Sequence, residues 1–116
     1  MNYFRALIYS VLSSLYTTYS VNADCDSTIN YLVYRVSDRD VYHGRYDLTL
    51  TIQCWGLDEA NTENMVQTVL DKLNYQSFGD DQAIITCYLN TAGSVDQDDK
   101  TIHMWNLLFD VTAYLK

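Results

Sequence analysis

The stretch RYDLTLTIQCW, residues 45–55, alternates apolar and polar side chains along its length. Tyr46, Leu48, Leu50, Ile52 and Cys54 fall on one face, and Asp47, Thr49, Thr51 and Gln53 on the other. A period of two belongs to a strand, and one apolar face backed by one hydroxyl-lined face belongs to a half-buried antiparallel strand. The chain is therefore committed to a sheet, and its other segments are read by how they complete one.

Before it, INYLVYRV is a β-branched and aromatic run that predicts a strand over 29–37, and SDRDVYHG, residues 37–44, reads as a hairpin tip stopped by Gly44. After it, Gly56 breaks the strand and the period changes. Asp58 is placed to cap a helix over 58–74, with Glu59 and Glu63 near its positive end. Ala60, Met65, Val66, Val69, Leu70 and Leu73 form its apolar stripe. QSFGDD reads as a turn, a strand follows over 82–91, and GSVDQDDK, residues 93–100, reads as an acidic loop. A long last strand over 100–115 places Trp105, Leu107, Phe109, Val111 and Ala113 on one face.

The first 23 residues admit two readings. Phe4, Leu7, Ile8, Val11, Leu12, Leu15, Tyr16 and Tyr19 form the i, i+3, i+4, i+7 stripe of an amphipathic helix, predicted over 3–20. The weakly basic start and the closing VNA also suit a cleaved leader, but a leader's core is apolar all round and needs no stripe. No segment reaches the roughly 18 continuous apolar residues that a membrane-spanning helix requires. The expected architecture is α+β in the order α-β-β-α-β-β: one antiparallel sheet with two helices on one face, a single domain over 1–116.

Composition narrows the function. Fifteen acidic residues against seven basic ones give a formal charge of −8, which repels polyanions and argues against tight nucleic-acid binding. Eleven tyrosines against three phenylalanines suit surfaces that are wet before assembly and buried after it. A strand-rich protein can also use tyrosine simply as a good strand former. Cys25, Cys54 and Cys87 have neither the number nor the spacing of a disulfide framework or a zinc site, and Cys54 and Cys87 sit in strands as small hydrophobes.

No constellation supports an enzyme, a metal or a cofactor. His43 and His103 are the only histidines, and nothing in their spacing pairs them with each other or with a cysteine. The run DQDD, residues 96–99, lacks the glycine and glutamate of a calcium loop. Charge is segregated instead. Arg35, Arg39 and Arg45 surround the first hairpin, while Asp80, Asp81, Asp96, Asp98 and Asp99 gather elsewhere. One copy's hairpin could thus be steered to another's acidic loop, head to tail. Arg39, His43 and Arg45 at the hairpin, with Asp96, Asp98 and Asp99 in the loop, are the candidate contact residues, because binding residues tend to lie on loop tips.

The span INYLVYRVSDRDVYHGRYDLTLTIQCWGLDEANTENMVQTVLDKLN resembles the tail-completion, or tail-terminator-like, proteins of long-tailed bacteriophages. The likeness lies in Tyr31 to Val36, Leu48 to Trp55, Glu59-Ala60 and the aromatic strand from Trp105 to Tyr114. Asn30 stands where that family often has proline. The resemblance implies a structural, non-enzymatic virion protein. Six copies would form a ring at the head-proximal end of the tail tube, ending tube growth and docking the neck or head-completion protein. The related alternative is a head-to-tail adaptor, and a small secreted binding protein is the alternative if the first segment is cleaved. DNA would pass through the lumen without specific binding, and six copies at −8 each carry about −48 to repel it.

Overall fold

The computed structural model describes residues 2–21, 25, 28–42, 44–95 and 103–116, and for residues 2, 39, 40 and 42 the backbone alone. The elements run α1 (Asn2–Ser13), β1 (Thr17–Ser20), β2 (Tyr31–Tyr42), β3 (Arg45–Gly56), α2 (Glu59–Leu73), β4 (Gln76–Gly79), β5 (Ala83–Val95) and β6 (His103–Leu115). The six strands form one sheet in the order β1-β2-β3-β6-β5-β4. The fold is α+β, and the long elements follow the expected order.

The alternation of residues 45–55 explains the centre of the sheet. Leu48, Leu50, Ile52 and Cys54 of β3 are fully buried, as are Leu107, Phe109, Val111 and Ala113 of the neighbouring β6. Register places Ile52 opposite Leu107 and Leu50 opposite Phe109, so the two apolar rows coincide. A register slip of one residue would turn each row to the other face, and burial forbids it. Both helices contribute to the same core: Phe4, Ile8 and Leu12 from α1, and Met65, Val66, Val69 and Leu73 from α2. Burying side chains of this size stabilises by about 1.5–3 kcal/mol each.

The capping of α2 follows the sequence. Asp58 is extended, and its carboxylate accepts the Asn61 N–H at 2.7 Å. Ala60, however, is exposed, and Thr62 takes the buried position expected of it. The reason is close packing: Thr62 lies against Gly56, where an added Cβ would sit 2.7 Å from the Thr62 backbone nitrogen.

Several boundaries differ from expectation. The first helix stops at Ser13 and not at residue 20, and Thr17–Ser20 is a strand. Ser13 and Ser14 turn their hydroxyls back to the carbonyls of Ser10 and Val11, and the Ser14 N–H bonds Val11 O in a tighter turn. Serine competes in this way with helical hydrogen bonding, and the β-branched TTY segment then takes the extended form. The stripe continued by coincidence, since Leu15 and Tyr16 also pack on the core.

β1 pairs parallel with β2, so the sheet is mixed, although every other pair is antiparallel. The first strand starts at Tyr31 and runs to Tyr42, so most of the expected tip is ladder. A bulge between Asp38 and Asp40 absorbs the polar SDRDV stretch. The expected QSFGDD turn contains β4, and the turn itself is set by Asp80, whose Oδ1 accepts the N–H groups of Gln82 and Ala83 at 2.8 and 3.1 Å. β5 continues through Val95 into the expected acidic loop.

Candidate assembly surfaces

The hairpin tip was the first candidate contact. Tyr42 and Arg45 pair across it, and Gly44 takes φ +82, the left-handed region that a tight hairpin turn demands. The Arg45 guanidinium lies on the sheet's own surface. It donates to Asp47 Oδ2 at 3.3 Å and shares a hydrogen bond with Tyr114, its register partner on β6. These contacts, Tyr114 first and Asp47 next, raise the guanidinium pKa. Arg45 therefore stitches β3 to β6 while remaining partly exposed. Arg39 is the extra backbone residue of the β2 bulge. His43, Asp96, Asp98 and Asp99 lie outside the described residues.

The sheet face opposite the helices is a surface that residue-by-residue reading missed. Its central positions are mostly polar: Thr49 and Gln53 of β3 face Asp110 and Asn106 of β6, while Thr51 faces Leu108. At one end lies an apolar row of Tyr31, Trp55, Met104 and Val95, each opposite the next in register. Tyr31 stacks on Trp55, and Tyr19 meets Tyr31 edge-on at 5.6 Å. Met104, although its position faces outward, is only 7% exposed within this row. Burial raises the Tyr31 phenol pKa, consistent with partial desolvation there.

At the other end Ile84 and Tyr114 are exposed, and the exposed Tyr88, beside Asp110, meets Tyr75 edge-on at 5.5 Å. Much of the tyrosine surplus thus lies on the helix-free face. The available sequence signal was the other half of each alternating pattern, the positions out of phase with the core stripe.

The sheet edges form a third surface. β1 lies beside Tyr31 to Tyr34 of β2, and a Val21 N–H to Tyr34 O bond at 3.2 Å ends that pairing. A groove of about 540 Å³ opens beyond it, lined by Arg5, Ser20, Tyr34, Arg35, Ser37 and Asp38. The Arg5 guanidinium reaches Val36 O there at 3.5 Å. On the far edge, β4 lies beside Ile84 to Cys87 of β5, and Asn74 Oδ1 accepts the Leu89 N–H at 2.9 Å. Among the described residues, no strand lies outside β5 from Asn90 to Val95.

Cys54 and Cys87 are fully buried in the core, and burial pushes both thiols up to about 12. Such thiols stay protonated at neutral pH. Among the described residues no three metal-ligating side chains come together, and no helix is long and apolar enough to cross a membrane.

No protein-family model matches the chain. No curated protein matches it either. Among solved structures, the chain is similar to one in a structure described as the virion of a native gene transfer agent particle. The TM-score is 0.72 at 13% identity, and the match covers 97% of this chain and 96% of the other. The two chains share a fold over nearly their whole lengths.

Proposed function

We propose that this chain is a structural protein of a phage-like virion, acting by self-assembly and docking and not by catalysis. The observation that carries the reading is the end-to-end likeness to a chain in a gene transfer agent virion. At the finer level it is a tail-terminator-like protein. Six copies form a ring at the head-proximal end of the tail tube, stop its growth and present a surface to the neck. The tyrosine-lined helix-free face supports this, because tyrosine tolerates water before docking and buries well after it. The charge of −8 per copy fits a lumen through which DNA passes without sticking.

Arg39, His43 and Arg45, with Asp96, Asp98 and Asp99, remain the proposed charged contacts between neighbours. Arg45 already serves Asp47 and Tyr114, so its part in such a contact is the smaller one. The secreted alternative would remove α1, and with it Phe4, Ile8 and Leu12, from the core.

Deletion of the gene from a particle that carries it tests the reading. Overgrown tail tubes without heads are expected. Tubes of normal length lying beside unattached heads would make the chain a head-to-tail adaptor instead. Normal particles would overturn the virion role.

A further inference from the structure

We infer that Tyr75 is a knob by which one copy of this chain grips the next, and that a hollow beside Arg35 on the helix-free face is the hole that receives it. The inference rests on the self-assembling reading above and names the residues that make the grip. Every residue of knob and hollow lies among the described ones.

Tyr75 works against the isolated fold. It follows Asn74, the cap that ends α2, and takes φ +59, in the left-handed region. Glycine is the usual residue at that place, because a Cβ crowds this backbone and a bulky side chain there is an outlier. The ring gains little burial in return. It is 74% exposed, more than any other large apolar side chain among the described residues. Strain of this kind gathers at functional sites. The ring is nonetheless fixed in place: the Tyr75 N–H bonds Cys87 O at 2.9 Å, and the ring meets Tyr88 edge-on. Next to it, Asn74 Oδ1 holds the Leu89 N–H where β5 bulges between Leu89 and Thr91. A left-handed residue and a bulge, which re-aims side chains, thus meet at one exposed aromatic pair.

The hollow, of about 180 Å³, is lined by Val21, Val33, Tyr34, Arg35, Thr51 and Gln53. Small-molecule pockets run to about 300–1,000 Å³, so this one suits a single side chain. Arg35 is exposed, and among the described residues its guanidinium enters no ion pair and no hydrogen bond. A guanidinium stacks well on a tyrosine ring, Val33 offers carbon contact, and Thr51 and Gln53 offer hydrogen bonds to a phenol hydroxyl. Knob and hollow lie toward opposite sides of one sheet at nearly one level. Arg35 is level with Thr51, Leu108 and Thr91, and Tyr88 is level with Asp110, Thr49 and Ser37, two residues along. Two residues are about 7 Å of strand, within reach of a tyrosine side chain. A second copy in the same orientation, displaced across the strands, therefore brings its Tyr75 to the first copy's Arg35. Charge agrees, because Asp110 stands opposite Tyr88 and gives the incoming Arg35 an anionic neighbour. Knob and hollow are different surfaces, so the contact is head to tail and repeats until rotation closes a ring.

The test is photocrosslinking of the full chain at high concentration with Tyr75→p-benzoylphenylalanine, which keeps an aromatic knob. Irradiation should give covalent dimers and higher multimers on a denaturing gel, and the crosslinked peptides should carry Val33, Arg35, Thr51 or Gln53. Two further variants are compared with the parent by light scattering across a concentration series. Tyr75→Gly should weaken self-association about 30-fold or more, as loss of an interface anchor does. Its melting temperature should stay at or above the parent's, because glycine accepts this backbone. Arg35→Glu should weaken association equally, and its exposed position leaves the fold intact. Tyr75→Gly with a lowered melting temperature and unchanged association would make Tyr75 a structural residue and overturn the grip. Crosslinks to other surfaces, or none in a protein of multi-copy mass, would also overturn the grip and leave self-assembly standing. Monomer mass for the parent at every concentration would overturn the grip and self-assembly together.

Discussion

Tyr31 and Trp55 face each other across the β2–β3 ladder with ring planes 8° apart and centroids 6.0 Å apart. Trp55 is held in this pose by its Nε1–H, which donates to Gln53 Oε1 at 3.1 Å. Trp55 in turn pairs with Met104, and the row forms the apolar end of a sheet face that, among the described residues, no helix covers. A double-mutant cycle with Tyr31→Leu and Trp55→Leu in urea unfolding should give a coupling of about 0.5–1.5 kcal/mol. Additive effects would mean that the rings are neighbours without interacting.

Gly56 makes a second close approach. An added Cβ would meet Thr62 Oγ1 and, at 2.7 Å, the Thr62 backbone nitrogen. Gly56→Ala should therefore cost about 1–3 kcal/mol through overpacking of α2 against β3. Adding Thr62→Ala should recover only part of that loss in chemical denaturation, because the backbone atom stays in place. Full recovery would assign the constraint to the hydroxyl alone.

The Tyr3 hydroxyl donates to Asp80, tying the start of α1 to the β4–β5 turn, where Lys116 Nζ also binds Asp80 O at 2.9 Å. The Tyr3 bond, helped by the Gln82 N–H, holds the Asp80 pKa below its ordinary 3.8, and the same bond raises Tyr3 to about 12. A depressed carboxylate pKa stabilises the fold above the ordinary aspartate value, and that contribution is lost as pH falls through the folded-state value. A raised tyrosine pKa stabilises below the ordinary 10.0, and its contribution is lost as pH rises through about 12. The melting-temperature gap between wild type and Tyr3→Phe should thus be widest near neutrality and should narrow at both extremes. A gap independent of pH would contradict the link.

Cys54 and Cys87, buried with thiols pushed up to about 12, should not react with a thiol-specific chromophore at pH 8 in the native protein. Titration should find at most Cys25 before denaturation and all three thiols after it. Native reactivity of more than one thiol would show that the core opens readily.

Periodicity made the central elements legible. The alternation of residues 45–55 and of the last strand fixed the core face, and the cap at Asp58 located α2. Four-residue strands escaped because Thr17–Ser20 and Gln76–Gly79 are too short to show a period, and non-local pairing with β2 and β5 creates them. The helix-free face escaped for another reason. Tyr19, Tyr31, Trp55 and Met104 are scattered in sequence and meet only once register is known.

The most direct measurement of the central claim is immunogold electron microscopy of purified particles with an antibody against this chain. The account predicts label at a single position, where head meets tail. Label on the capsid shell, label along the tube, or particles with none would contradict it.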